Sequence, residues 1–200
     1  MRRPRTFAAI VLEPLLVVAA LALIARTAVV SVYSIPSASM SPTLQVGDHI
    51  LVTSYKLAGG HQVPRRGDVI VFRSPGGSGE VLVKRIVGTP GDLIDAAGGN
   101  IRIGGHTLAE PYLMRRATSG VISAQIVPPG SFFVMGDNRA HSYDSRSWGA
   151  VPGGLIIGRV QMVLWSSADA ATLPNASAST NDRAAPSPQQ RRRRLFLPIN

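Results

Sequence analysis

The sequence predicts an all-β fold, a barrel or sandwich with a small inserted β subdomain, preceded by one N-terminal transmembrane helix. Two observations carry this expectation. Short runs of Val, Ile, Leu and Phe recur between turns in a chain with Gly 20 and Pro 15 among 200 residues. Such runs build antiparallel sheets rather than alternating strand–helix units. Ahead of them, Phe7 to Ala25 is apolar apart from Glu13 and Pro14, and follows a basic head of Arg2, Arg3 and Arg5.

Taken in order, residues 1–6 form the head and residues 7–28 the anchor. At 1.5 Å per residue, the stretch from Phe7 to Ala25 nearly crosses a hydrocarbon core of about 30 Å. Arginines before it favour a cytoplasmic N-terminus, which places the rest of the chain outside the membrane. A cleaved signal peptide is the competing reading of the same features. Residues 34–166 form the β domain. His49–Val52, Gly67–Phe72 and Val81–Val87 read as its first strands, the second opened by a Gly-Asp turn. Further strands are expected at Leu93–Asp95, Ile101–Ile103, Ser131–Met135 and Leu155–Trp165. Between Asp92 and Gly130 long apolar runs are scarce, so residues 92–130 read as a hairpin-and-loop insertion. From residue 167 the composition shifts to Ala, Ser, Thr, Asn and Pro, then Arg191 to Arg194, and predicts a disordered basic tail.

With no cysteine, neither a disulfide nor a thiolate metal site is possible. The net charge of +10 lies largely at the two ends. That placement suits an anionic membrane surface better than a nucleic-acid groove, and no aromatic-interleaved basic patch points to nucleic acid. The histidines His49, His61, His106 and His141 lack metal-ligand spacing, so neither metal nor cofactor is expected.

Three places carry candidate chemistry. Ile35-Pro36-Ser37-Ala38-Ser39-Met40-Ser41-Pro42-Thr43-Leu44 is dense in serine between prolines. Its ordinary reading is an exposed turn. On an extended Val81–Val87, Lys84 shares a face with Leu82 and Ile86, opposite Val81, Val83, Arg85 and Val87. Aliphatic groups on both faces predict a buried strand, and burial lowers a lysine pKa. A neutral amine can take a proton from a serine hydroxyl. A lysine near a strand end more often snorkels or meets a carboxylate, so Lys84 alone says little. The third place is the polar loop Gly136 to Gly149, where Asp144 and Arg146 are the natural ion pair and Ser142 is within reach of Lys84. His141 invites a Ser-His-Asp reading but has no local frame for one.

With these residues in place, the chain resembles bacterial signal peptidase I, in its small Gram-positive-like form. The likeness runs through four blocks in order. They are Ile35–Leu44, Gly67–Phe72, Val83–Gly88 with Pro90-Gly91-Asp92, and Gly136–Arg139 followed by Ser142, Asp144-Ser145-Arg146 and Trp148-Gly149. The resemblance implies a Ser/Lys serine protease with Ser39 as nucleophile and Lys84 as general base. It places Ser37, with the Ser39 N–H, at the oxyanion. Ser142 would orient the lysine while Asp144 and Arg146 hold the loop. Ile35, Met40, Leu44, Leu82 and Val83 would line shallow pockets for small side chains. It implies secretory preproteins as substrates, membrane lipid as surroundings, and no metal. Ala140-His141 departs from the family pattern and receives no role. Two rivals remain at this level. One is a tethered, non-catalytic β domain binding peptides or anionic wall polymer; the other is a self-cleaving Ser/Lys repressor-type protease.

Overall fold

The computed structural model describes residues 14–19, 30–55, 63–113 and 121–167. Most of the expected anchor, the basic head and nearly all of the expected tail lie outside these. Residues 14–19 are helical and exposed. Among the described residues no helix is long and apolar enough to cross a membrane.

The domain is all-β, with every strand pair antiparallel. Its eleven strands are β1 (Val30–Ser34), β2 (Asp48–Thr53), β3 (Val69–Arg73), β4 (Val81–Gly88), β5 (Leu93–Ala97), β6 (Asn100–Ile103), β7 (His106–Thr107), β8 (Ile122–Ile126), β9 (Ser131–Met135), β10 (Val151–Pro152) and β11 (Ile156–Ser166). Seven form one sheet in the order β1-β2-β11-β3-β4-β9-β10, and four form a second in the order β7-β6-β5-β8. The small sheet leaves the chain after β4 and returns it at β9.

Alternation explains the packing. On β3, Val69 and Val71 join a cluster with Ile35, Met40, Leu44 and Ile50, while Ile70 and Phe72 join Ile86, Phe132 and Val134. Both faces of β3 are therefore buried, as expected for an interior strand with no polar alternation. A third cluster, including Val87, Ile94, Ile101 and Phe133, fastens the small sheet to β4 and β9. Central β11 serves both β2 and β3 by shifting register at three points along its length. At Gly158 a Cβ would sit 2.9 Å from the Thr53 carbonyl carbon, so the neighbouring backbone tolerates only glycine there.

The expected strands all occur, with ends moved by a residue or two. Sequence reading misses β1, β7, β8 and β10. Two of these are two-residue bridges, and Ile122–Ile126 holds only two large apolar side chains, so it lacks the alternation that marks a strand.

Candidate active site

The turn Ala38–Met40 is a single 3₁₀ turn, entered from extended Ser37 and closed by a Ser41 N–H to Ala38 carbonyl bond at 3.0 Å. Proline at 36 and a cis Ser41–Pro42 bond bracket it. Met40, 1% exposed, plugs the turn into the core, and Leu44 N–H caps the Met40 carbonyl at 2.9 Å. Ser39 is thereby left half-buried at the surface, beside exposed Ser37, with the two hydroxyl oxygens 3.3 Å apart.

Lys84 lies on β4 opposite Ile70 of β3 and is 4% exposed. Its Nζ lies 2.7 Å from Ser39 Oγ, donating to it when protonated. Burial pushes the amine below the usual lysine range, against the pull of the Asp144 and Glu80 carboxylates. Once the amine is neutral, the same separation lets the serine hydroxyl donate to nitrogen.

The loop after β9 holds the turn in position. Asn138 N–H donates to the Ser39 carbonyl at 3.0 Å, and Asn138 Nδ2 to the Ala38 carbonyl at 3.1 Å. Gly136 comes so close that a Cβ there would meet the Ser39 carbonyl oxygen and Ser142 Cβ, each at 2.5 Å. Asp144, fully buried, accepts from the Gly136 N–H at 3.0 Å and from Arg146 Nε and a second guanidinium nitrogen at 2.8 Å each. Burial pushes the Asp144 carboxyl up, but the bonds from Arg146 and Gly136 outweigh it and hold the group below the usual carboxylate range. The same residue caps the helical turn Ser145–Trp148. Ser142 packs against Gly136; its buried hydroxyl makes no bond to Lys84 and lies towards the Asp144 carboxylate, whose charged form it helps to hold.

Beneath the loop lies a buried ionic network. Arg85 grips Asp137 with two bonds, at 2.9 and 2.8 Å, and donates to the Gly67 carbonyl at 2.8 Å. Thr43 Oγ1 donates to Asp137 at 2.5 Å. The Arg85 guanidinium carbon lies over the Tyr112 ring, 4.0 Å from its centroid, and the Tyr112 hydroxyl donates to Glu110 at 2.6 Å. Glu110 in turn pairs with buried Arg139. None of these partners was found from the sequence. Arg85 followed Lys84 on an apolar strand, and the one available signal was an unexplained arginine at a buried position.

The turn and β4 enclose a cleft lined by Tyr33, Ser34, Ile35, Pro36, Ser37, Ser39 and Met40 on one side and by Glu80, Val81, Leu82, Val83 and Lys84 on the other. Ile35, Met40, Leu82 and Val83 thus reach the cleft. Leu44 does not line it; it is fully buried in the core below, because the bond to Met40 turns it inward. His141 is exposed and its ring pairs with Asn138 Oδ1 at 3.2 Å.

The family described as signal peptidase, peptidase S26, matches residues 8–165. The chain belongs to that family. Membership makes it a serine endopeptidase of the signal peptidase class. Among similar proteins is a signal peptidase I of Leptolyngbya laminosa, 40% identical over 72% of this chain and 73% of that protein. A probable signal peptidase I-2 of Synechocystis is 35% identical over 70% of this chain and 65% of its own length. A crystal structure of a signal peptidase I from Enterococcus faecalis superposes with a TM-score of 0.45 at 31% identity, covering 49% of this chain and 97% of that one.

Proposed function

We propose that this chain is a membrane-bound peptidase that removes N-terminal signal peptides from exported preproteins after small-x-small motifs. The observation that carries this reading is the 2.7 Å approach of a buried, pKa-lowered Lys84 to Ser39 at the end of an open cleft. Neutral Lys84 takes the Ser39 proton as Oγ attacks the scissile carbonyl. The resulting oxyanion is met by Ser37 Oγ and the Ser39 N–H. Collapse breaks the C–N bond; the amine leaves with the proton held by Lys84, and the signal peptide stays as an ester on Ser39. A water then attacks the ester, giving its proton to Lys84, and the carboxylate departs as Ser39 regains its hydrogen. Asp144, with Arg146, keeps the loop rigid, and Ser142 packs beside the dyad.

The cleft suits an extended peptide. β9 pairs with β4 only from Arg85 onward, so the edge of Val81–Lys84 facing the cleft has no strand partner among the described residues. Among the described residues β1 pairs with β2 alone. A peptide running between these edges would be read by its backbone, as in strand addition, with side chains entering beside Ile35, Met40, Leu82 and Val83. The residue 7–28 segment is assigned as the anchor, with the catalytic domain on the outer face of the cell membrane.

The test is cleavage of a secretory precursor in detergent micelles, with the product N-terminus sequenced. A cut after a small-x-small motif, lost in both Ser39→Ala and Lys84→Met proteins that fold normally, is expected. Full cleavage by either variant overturns the assignment.

A further inference from the structure

Glu80 stands at the far end of the same cleft from the dyad. Of the residues lining the cleft, only Glu80 and Lys84 carry charge, and Lys84 is buried against Ser39. Glu80 is exposed, and among the described residues no basic side chain pairs with it. Its carboxylate is nevertheless felt at the Lys84 amine. In a chain of net charge +10, the one exposed charged side chain lining this cleft is thus an acid.

The backbone fixes where that charge falls along a bound peptide. Ser74 N–H donates to the Glu80 carbonyl at 2.8 Å, which carries the β3–β4 pairing one residue beyond Val81. The chain from Glu80 to Lys84 is therefore extended, and at roughly 3.3 Å per residue the Glu80 backbone lies about 13 Å along the strand from that of the lysine, with the carboxylate reaching back towards the amine. A peptide extended along this edge advances at the same rise, so about four of its residues separate the cut from Glu80. Leu82 and Val83, which the resemblance places at the pockets for small side chains before the cut, lie in between.

Resting on the function proposed above, we infer that Glu80 makes the cleft charge-selective. It favours precursors with Lys or Arg four or five residues before the cut and disfavours Asp or Glu there. Attraction across such a rim contact is modest in water. An exposed pair contributes about 2- to 5-fold in affinity, and salt screens it.

The test uses the full chain in detergent micelles and synthetic precursor peptides ending in Ala-x-Ala before the cut, with Lys, Gln or Glu at the fourth or fifth position. For the native protein kcat/KM should fall from Lys to Gln to Glu by about 2- to 5-fold per step at low salt, and the steps should shrink at about 0.5 M salt. Glu80→Gln should flatten the series, and Glu80→Lys should invert it. Peptides cleaved at rates whose ratios are the same in all three proteins overturn the charge selectivity while leaving the signal-peptidase reading intact. Failure of the native protein to cut any peptide overturns that reading and this inference with it.

Discussion

One methyl group, added at Gly136, tests the idea that the loop after β9 sets the position of Ser39, the proposed nucleophile. The backbone there needs no left-handed conformation, so Gly136→Ala acts through space alone. The new Cβ would lie 2.5 Å from the Ser39 carbonyl oxygen, against the 3.4 Å at which ordinary contact begins. The shortfall of about 0.9 Å must be met by moving the Ser39 peptide, because the other close neighbour, Ser142, is also packed against Gly136. Displacing a reacting group by about 1 Å costs on the order of 100-fold in rate. Overpacking of this kind costs about 1–3 kcal/mol, or roughly 2–12 °C in Tm for a domain of this size. The assay is kcat/KM on a precursor peptide at a temperature well below the variant's Tm. Adding Ser142→Ala should not restore activity, since the Ser39 carbonyl still blocks the methyl. A Gly136→Ala protein with kcat/KM within about threefold of the native value would refute the claim that this close approach matters.

Three further perturbations probe the ionic groups. Lys84 has a lower pKa folded than unfolded, so between those values the unfolded chain holds more protons and stability rises with pH. At pH 7, below the ordinary lysine value, folding still carries a desolvation cost; Lys84→Met should therefore raise Tm at pH 7, with the gain shrinking as pH climbs towards the ordinary lysine value. A lower Tm at pH 7 would contradict this. Asp137→Ala removes the anion gripping buried Arg85 and should cost about 3–5 kcal/mol, read as a fall in denaturant midpoint at unchanged m-value. Glu110→Gln removes the counter-charge of buried Arg139 and should cost about 1–3 kcal/mol, measured by thermal unfolding.

Much of the architecture was legible because burial imposes repeating patterns on β3, β4 and β9. The serine turn and Lys84 stand out in the sequence by resemblance, and alternation alone predicts the burial that Lys84 has on β4. The pairing of Asp144 with Arg146 was readable because a single residue separates them. Arg85–Asp137 and Arg139–Glu110 span 52 and 29 residues, and no local periodicity encodes such distances. Leu44 shows the limit of a residue-by-residue transfer. It matches a pocket position in sequence, yet here the turn sends it wholly into the core. Nothing in the sequence marks Glu80, because it precedes the strand proper, where a glutamate reads as a solvated turn residue.

Asn138 touches neither hydroxyl nor amine, yet it governs the direction of a dipole. A trans peptide is flat, and its C=O and N–H point opposite ways. By holding the Ala38 carbonyl, together with the Ser41 N–H, the Asn138 amide sets the plane that Ala38 shares with Ser39. The N–H of Ser39 is thereby aimed away from the loop before any substrate arrives. Reorienting it would mean rotating a plate clamped at its opposite corner, so the donor that the proposed mechanism directs at nascent charge is held by a side chain 100 residues downstream.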